Sequence, residues 1–182
     1  MKILHRFLTL ICKTDYMTTI QTYSPQYQEQ VIHLILDIQQ NEFKVPIPLE
    51  EQPGLLRIPD FYQKDKGNFW IAVDNDRVVG TTALLDIGNH QAALQKCFVR
   101  KDYRGKNIGV GQQLLNKLLK WAYYQSIKEI YLGTTEVYKA GHRFYEKNNF
   151  IEINKSELPK QFPSIKADTK FYKYEMSYEK VT

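Results

Sequence analysis

Apolar residues recur along this chain with two alternating periods, one of about 3.6 residues and one of two. The helical period is clearest from Ile108 to Gln125, where one face carries an apolar stripe. The members of that stripe are Ile108, Gly111, Leu114, Leu115, Leu118, Leu119 and Ala122. A similar stripe follows Ser24-Pro25, a pair typical of a helix start, and a shorter helix is predicted from Tyr138 to Lys147.

Short apolar runs bounded by turn residues predict the strands. The runs at 69–73 and 77–85 flank Asp74-Asn75-Asp76, a turn-forming cluster, and so predict a β-hairpin. Further strands are expected at 18–23, 92–99, 129–132, 150–153 and 170–178. The segment 44–59 contains four prolines and is expected to be a loop, with a short helix from Pro48. The alternating order predicts a mixed αβ fold of the α+β type.

The composition fits one globular domain. Hydrophobic residues make up 43% of the 182 residues and charged residues 25%, and no stretch approaches the roughly 18 apolar residues of a membrane span. Two cysteines imply no disulfide framework and favour a reducing, cytoplasmic setting. Residues 1–16 read as an N-terminal extension, disordered or upstream of the true start, and residues 17–182 as the single domain.

A basic loop lies between the strand at 92–99 and the long helix. From Lys96 to Lys106 five cations stand against Asp102 alone, which gives +4 of the formal net charge of +5. Free backbone N–H groups and the helix dipole favour negative charge at a helix start. The loop therefore predicts a site for a phosphate-bearing ligand, although basic surface loops also occur without one.

Two motifs carry a resemblance to a known family. The spacings of a P-loop and of a dinucleotide fingerprint are absent, whereas Arg104-Gly105-Lys106-Asn107-Ile108-Gly109 resembles the acetyl-CoA pyrophosphate loop of the GNAT superfamily of N-acetyltransferases. Downstream, Tyr145-Glu146-Lys147-Asn148-Asn149-Phe150 resembles the closing motif of that family. Asn107 and Asn149 stand where glycine is usual, and asparagine tolerates the positive φ that such positions require.

The resemblance covers about 18–178 and implies both fold and cofactor. It implies a twisted mixed sheet, splayed between its fourth and fifth strands and flanked by helices. Acetyl-CoA would be the co-substrate, and no metal would be needed. The residues expected to bind it are Phe98, Val99, Arg104, Gly105, Lys106, Asn107, Ile108, Gly109, Val110 and Gly111.

The resemblance also implies direct acetyl transfer to an amine in a ternary complex. Tyr145 matches the position of the general acid that protonates the CoA thiolate, although a helical tyrosine is often simply a core residue. The base stays open between Glu42, Asp86 and ordered water. His142 is expected at the surface, and Cys97 is interpreted as a small buried residue rather than a nucleophile.

The acceptor is left open between a small-molecule amine and the amine of a peptide or protein. Residues that could line its site are Glu42, Phe43, Phe61, Trp70, Phe162, Phe171 and Tyr172. Neither nucleic acid nor a membrane is expected as a partner, whereas a homodimer is allowed. Two other hypotheses remain: a GNAT-fold module that binds acyl-CoA without turnover, and a basic nucleic-acid-binding domain.

Overall fold

The strands form one mixed sheet in the computed structural model, which describes residues 18–105 and 109–178. Their bounds are β1 Thr19–Thr22, β2 Asn68–Asp74, β3 Arg77–Gly88, β4 Gln91–Val99, β5 Glu129–Thr134, β6 Ile151–Ile153 and β7 Lys170–Glu175. Their order across the sheet is β1-β2-β3-β4-β5-β7-β6. Neighbours are antiparallel except for β4 and β5, which run parallel. The predicted mixed αβ fold is confirmed.

Four α-helices lie within the described ranges, namely α1 Gln28–Leu36, α2 Ile58–Phe61, α3 Val110–Tyr124 and α4 Lys139–Lys147. The two long apolar stripes of the sequence correspond to α1 and α3. A π-helical segment, Asp37–Glu42, continues α1. The proline-rich segment 44–59 is mainly loop, as predicted, with 3₁₀ turns at Leu49–Glu51 and Pro53–Leu55. No helix within the described ranges is long and apolar enough to cross a membrane.

Each face of the sheet carries its own hydrophobic core, because successive residues of a strand point to opposite faces. Trp70 and Ala72 of β2 pack with α3, whereas Phe69 and Ile71 pack with α1. Most of the predicted stripe of α3 is buried, but Gly111 and Leu119 are only half-buried. Ile108, the first member of that stripe, lies outside the described residues.

The sheet splays between β4 and β5, as expected. The two strands pair only from Gln91 to Ala93 on β4 and from Glu129 to Tyr131 on β5. Beyond these residues they diverge, and within the described ranges no strand pairs with the 94–99 segment of β4 on the β5 side. This edge of β4 could therefore pair with another extended chain, although the Val99 carbonyl already accepts a hydrogen bond from Arg104 Nε.

A β-bulge interrupts β4 just beyond the point of divergence. Thr81 pairs with Phe98 and Ala83 with Gln95, so that two residues, Lys96 and Cys97, stand opposite one residue of β3. Lys96 adopts a φ of 52°, and its carbonyl accepts a hydrogen bond from the Thr81 hydroxyl at 2.7 Å. The bulge breaks the simple in-and-out alternation of side chains at this part of the strand.

Candidate functional site

A cavity of about 620 Å³ opens where β4 and β5 diverge. One end reaches the start of α3, at Arg104, Gly105 and Gly109. Tyr145 of α4 lines the same cavity. Other parts of its wall come from the π-helical segment and from the loop that precedes β7. The cavity therefore joins the basic loop to the residue that the sequence singles out for proton transfer.

The end of the cavity at α3 is built by two glycines in the left-handed region. Gly105 has a φ of 101° and Gly109 a φ of 65°. A Cβ at either glycine would meet no heavy atom of the described residues within 4 Å. The amides of Val110 to Gln112 begin α3, and a helix provides no carbonyl partner of its own for its first amides, so this end fits an anion.

The predicted cofactor-binding residues divide into three groups. The cavity is lined by Phe98, Val99, Arg104, Gly105, Gly109 and Gly111. Val110 is fully buried in the core beneath α3, so that only its backbone can serve a ligand. The remaining three, Lys106, Asn107 and Ile108, lie outside the described residues, and their roles stay predictions.

Arg104 is held firmly at the rim. Its guanidinium forms a two-pronged ion pair with Glu42, in which Nη2 donates to Oε2 at 2.8 Å. Its Nε donates to the Val99 carbonyl at 2.6 Å, and the guanidinium carbon lies 5.7 Å from the centre of the Phe43 ring. Glu42, one of the two acids considered as a base, is thus engaged with a cation.

Tyr138 adds an unpaired donor to the cavity wall. Its hydroxyl is buried and has no hydrogen-bond partner among the residues that the structure describes. Its ring packs edge-on against Phe43, with the centroids 4.8 Å apart. Burial raises the pKa of this phenol to about 12, and the nearby Glu42 adds to the rise. An orphaned donor beside the free edge of β4 fits the amides of an extended ligand.

Tyr145 is at once a core residue and a cavity residue. Its ring packs against Phe144, Phe150 and Tyr172, with centroid distances of 5.7, 5.6 and 6.0 Å. Its hydroxyl hydrogen-bonds the Cys97 thiol. Burial raises the pKa of the phenol well above its ordinary value, and Cys97 adds to the rise. The phenol therefore keeps its proton at neutral pH and can donate it into the cavity.

Cys97 has the environment of an unreactive thiol. Burial raises its pKa, and the hydrogen bond from Tyr145 only partly opposes that rise. A thiol with a raised pKa is a poor nucleophile at neutral pH. Cys97 is, however, half-buried and lines the cavity, so it is less buried than the sequence suggested, and its lack of a nucleophilic role stays a prediction.

Two expectations about nearby titratable groups need revision. Asp86 lies outside the cavity, where its carboxylate accepts hydrogen bonds from the Lys66 and Gly88 amides at 3.2 and 2.9 Å. His142 was expected at the surface, but it is 8% exposed and its Nε2 donates to the Thr135 carbonyl at 3.0 Å. That expectation is wrong because the His142 ring faces inward from α4 and lies 6.1 Å from the ring of Tyr172 in β7.

The structure brings two charged residues into the cavity that the sequence did not single out as site residues. Lys96 enters it from the bulge in β4, and Asp168 from the loop before β7. A strand pattern gives no sign of a bulge, and an aspartate in a loop resembles any surface acid. Of the proposed acceptor-site aromatics, Phe162 lines the cavity together with Phe43, whereas Trp70 is buried in the core.

Comparisons with known proteins agree with this geometry. Residues 32–150 match the profile of the acetyltransferase (GNAT) family. A crystal structure of a GNAT-family acetyltransferase from Staphylococcus aureus Mu50 superposes with a TM-score of 0.85 at 38% identity, over 88% of this chain and 99% of that one. The PaiA N-acetyltransferase of Thermoplasma acidophilum, solved in complex with coenzyme A, shares the fold at 17% identity, with a TM-score of 0.67 over 87% and 99% of the two chains.

A curated relative matches part of the chain. The N-acetylaspartate synthetase of Xenopus tropicalis is 36% identical over 100 residues, which are 53% of this chain and 35% of that protein. The human protein of the same name is 32% identical over 102 residues, or 55% of this chain and 33% of that protein. This chain spans about a third of the length of the curated relatives that it matches.

Proposed function

The chain belongs to the acetyltransferase (GNAT) family, and on that premise we propose that it transfers an acetyl group from acetyl-CoA to a primary amine. The observation that carries the proposal is the continuous cavity from the start of α3, through the splay, to Tyr145. It offers an anion-binding end, a free strand edge and a proton donor in one space, which are the features that a phosphate-bearing thioester substrate requires.

We assign the binding of acetyl-CoA to three features of the chain. The amides that begin α3, with Arg104 beside them, would hold the phosphates. The free edge of β4 at Phe98 and Val99 would pair with the amides of the pantetheine arm. The Tyr138 hydroxyl, which has no partner among the described residues, would donate a further hydrogen bond.

The proposed reaction is direct attack of the amine on the thioester. A C–N bond forms to the carbonyl carbon, the C–S bond breaks, and sulfur leaves with the electron pair. Tyr145 Oη gives its proton to the departing sulfur. The bound ammonium loses one proton to a base or to water before it attacks, and its nitrogen loses a second proton as the amide forms, which returns Tyr145 to its protonated state. Holding both reactants in one cavity supplies much of the rate by proximity, and a positioned acid adds about 10²- to 10⁴-fold.

The test is release of free thiol from acetyl-CoA in the presence of a panel of amines. The panel includes aspartate, because the matching relatives are named N-acetylaspartate synthetase. Tyr145→Phe keeps the ring and removes only the proton donor, so kcat should fall by about 10²-fold or more. Tyr124→Phe, at a side chain 70% exposed, is the matched control and should leave kcat unchanged.

The outcomes separate the hypotheses. Amine-dependent thiol release that depends on Tyr145 supports the proposal. Binding of acetyl-CoA without transfer to any amine would contradict it and would favour a non-catalytic acyl-CoA-binding module. An unchanged kcat in Tyr145→Phe would contradict the role of Tyr145 alone.

A further inference from the structure

Lys96 is held in a defined position in the cavity wall and is not a freely exposed surface lysine. The bulge and its positive φ turn the residue out of the regular strand alternation, and its side chain is partly buried at the cavity wall. Its ammonium donates to Gln52 Oε1 at 2.6 Å, and Gln52 Nε2 donates to Gln39 Oε1 at 3.0 Å. Both glutamines are buried, with 5% of their surface exposed. The Lys96 ammonium has three hydrogen-bond donors, and the two glutamine amides hold it in place through one of these.

Asp168 supplies the opposite charge from the other side of the splay. Its Oδ2 accepts a hydrogen bond from the Ile165 amide at 3.1 Å. The carboxylate packs on the backbone of Gly133 in β5, where a Cβ would lie 2.5 Å from Oδ2. Lys96 stands on β4 and Asp168 against β5, so the two charges flank the gap between the diverging strands.

The two charges interact without touching. The negative charge of Asp168 opposes the lowering of the Lys96 pKa by burial, so the groups lie within electrostatic reach of each other. Within the described part of the chain, however, no ion pair joins them, and both line the open cavity. A pair with a purely structural role would be expected to close into direct contact, because separated, partly desolvated charges are costly.

We propose that the acceptor carries a carboxylate as well as an amine, with Lys96 binding the carboxylate and Asp168 binding the ammonium. This inference rests on the proposed acetyl transfer and names the class of its acceptor, a free amino acid or a closely similar zwitterion. Lys96 offers donors beyond the one bound to Gln52, and Asp168 accepts from an ammonium. The charge pattern disfavours simple amines, which would leave Lys96 unpaired, and internal peptide lysines, which lack a free carboxylate nearby.

The test compares matched acceptors in matched variants. Several amino acids are assayed beside their α-carboxamides and their decarboxylated amines, and kcat/KM is measured for each. Lys96→Met keeps much of the apolar stem and removes the charge. For each acceptor, kcat/KM of the parent is divided by kcat/KM of the variant. The intrinsic reactivity of the amine cancels in this ratio. In Lys96→Met we expect kcat/KM to fall by about 10- to 100-fold for carboxylate acceptors, because a hydrogen bond to a charged group contributes that much. For decarboxylated amines we expect kcat/KM to fall by less than about 3-fold.

Three further variants guard against a folding defect. Gln52→Glu is nearly isosteric and places a carboxylate beside Lys96, so it should also remove the preference for carboxylate acceptors. Lys96→Arg should restore part of that preference. Lys120→Met removes one charge from an exposed position of α3 outside the cavity and should behave like the parent.

The results distinguish this inference from the proposed function. Acetylation of amines with no preference for a carboxylate, or an equal loss for all acceptors in Lys96→Met and Gln52→Glu, would overturn the inference alone. Absence of acetyl transfer to every member of the panel would contradict the proposed function as well.

Discussion

At the scale of single residues, partial burial sets the protonation states of the site. Tyr145 and Tyr138 are phenols whose pKa burial raises, so both remain protonated donors across the neutral range. Lys96 is affected in the opposite direction, because burial disfavours its charged form and lowers its pKa to about 8. Desolvation therefore favours the neutral, protonated form of the two phenols and disfavours the charged form of Lys96.

The lowered pKa of Lys96 predicts how acceptor preference depends on pH. Below about 8 the ammonium is charged and can hold a carboxylate, and above that value it becomes neutral. For each amino acid, kcat/KM is divided by kcat/KM of its decarboxylated amine, and both values are corrected for the ionisation of the free amine. We expect this corrected ratio to fall as pH rises from 7 to 10. In Lys96→Met the corrected ratio should be low and flat. A parent ratio that stays constant over this range would contradict the assignment.

At the scale of elements, the packing of α3 on the sheet keeps the start of that helix in place. Gly80 of β3 allows the close approach, since a Cβ there would lie 3.0 Å from Leu114 Cδ1 and 3.2 Å from Val110 Cγ1. Leu114 is fully buried in this contact. The position of the proposed anion-binding end thus depends on a core contact one turn further along the helix.

Truncation of Leu114 should therefore be costly. Leu114→Ala removes a fully buried side chain, and we expect the free energy of unfolding to fall by about 2–5 kcal/mol. Leu56→Ala, at a side chain 55% exposed, is the control and should change it by less than about 1 kcal/mol. Urea unfolding followed by circular dichroism measures both. Equal effects of the two substitutions would show that α3 does not anchor the fold in this way.

The elements with strong periodicity could be predicted from the sequence, and their irregularities could not. The apolar stripe of α3 and the hairpin around Asp74-Asn75-Asp76 follow from local pattern. Asn149 has a φ of 65°, as its place after α4 predicted. The positive φ of Lys96 has no such signal, because a bulge depends on how two strands pair rather than on the residue itself.

At the scale of the whole molecule, the splayed sheet gathers residues that are distant in sequence around one space. Lys96, Tyr145 and Asp168 come from a strand, a helix and a loop, and only the tertiary fold brings them to the same cavity. Tyr145 could be found from its motif. Asp168 could not, because only the packing of its loop on Gly133 of β5 brings it to the cavity.

The central claim is that this cavity binds acetyl-CoA, and calorimetric titration tests it most directly. The parent protein should bind with a dissociation constant of about micromolar size. Gly109→Glu should remove binding, because it adds a negative charge at the start of α3, where a Cβ would meet no heavy atom of the described residues within 4 Å. Gly109→Asn is the control, since asparagine tolerates the φ of 65° without adding charge, and it should bind nearly as the parent does. Absence of binding by the folded parent, or equal binding by Gly109→Glu, would contradict the account.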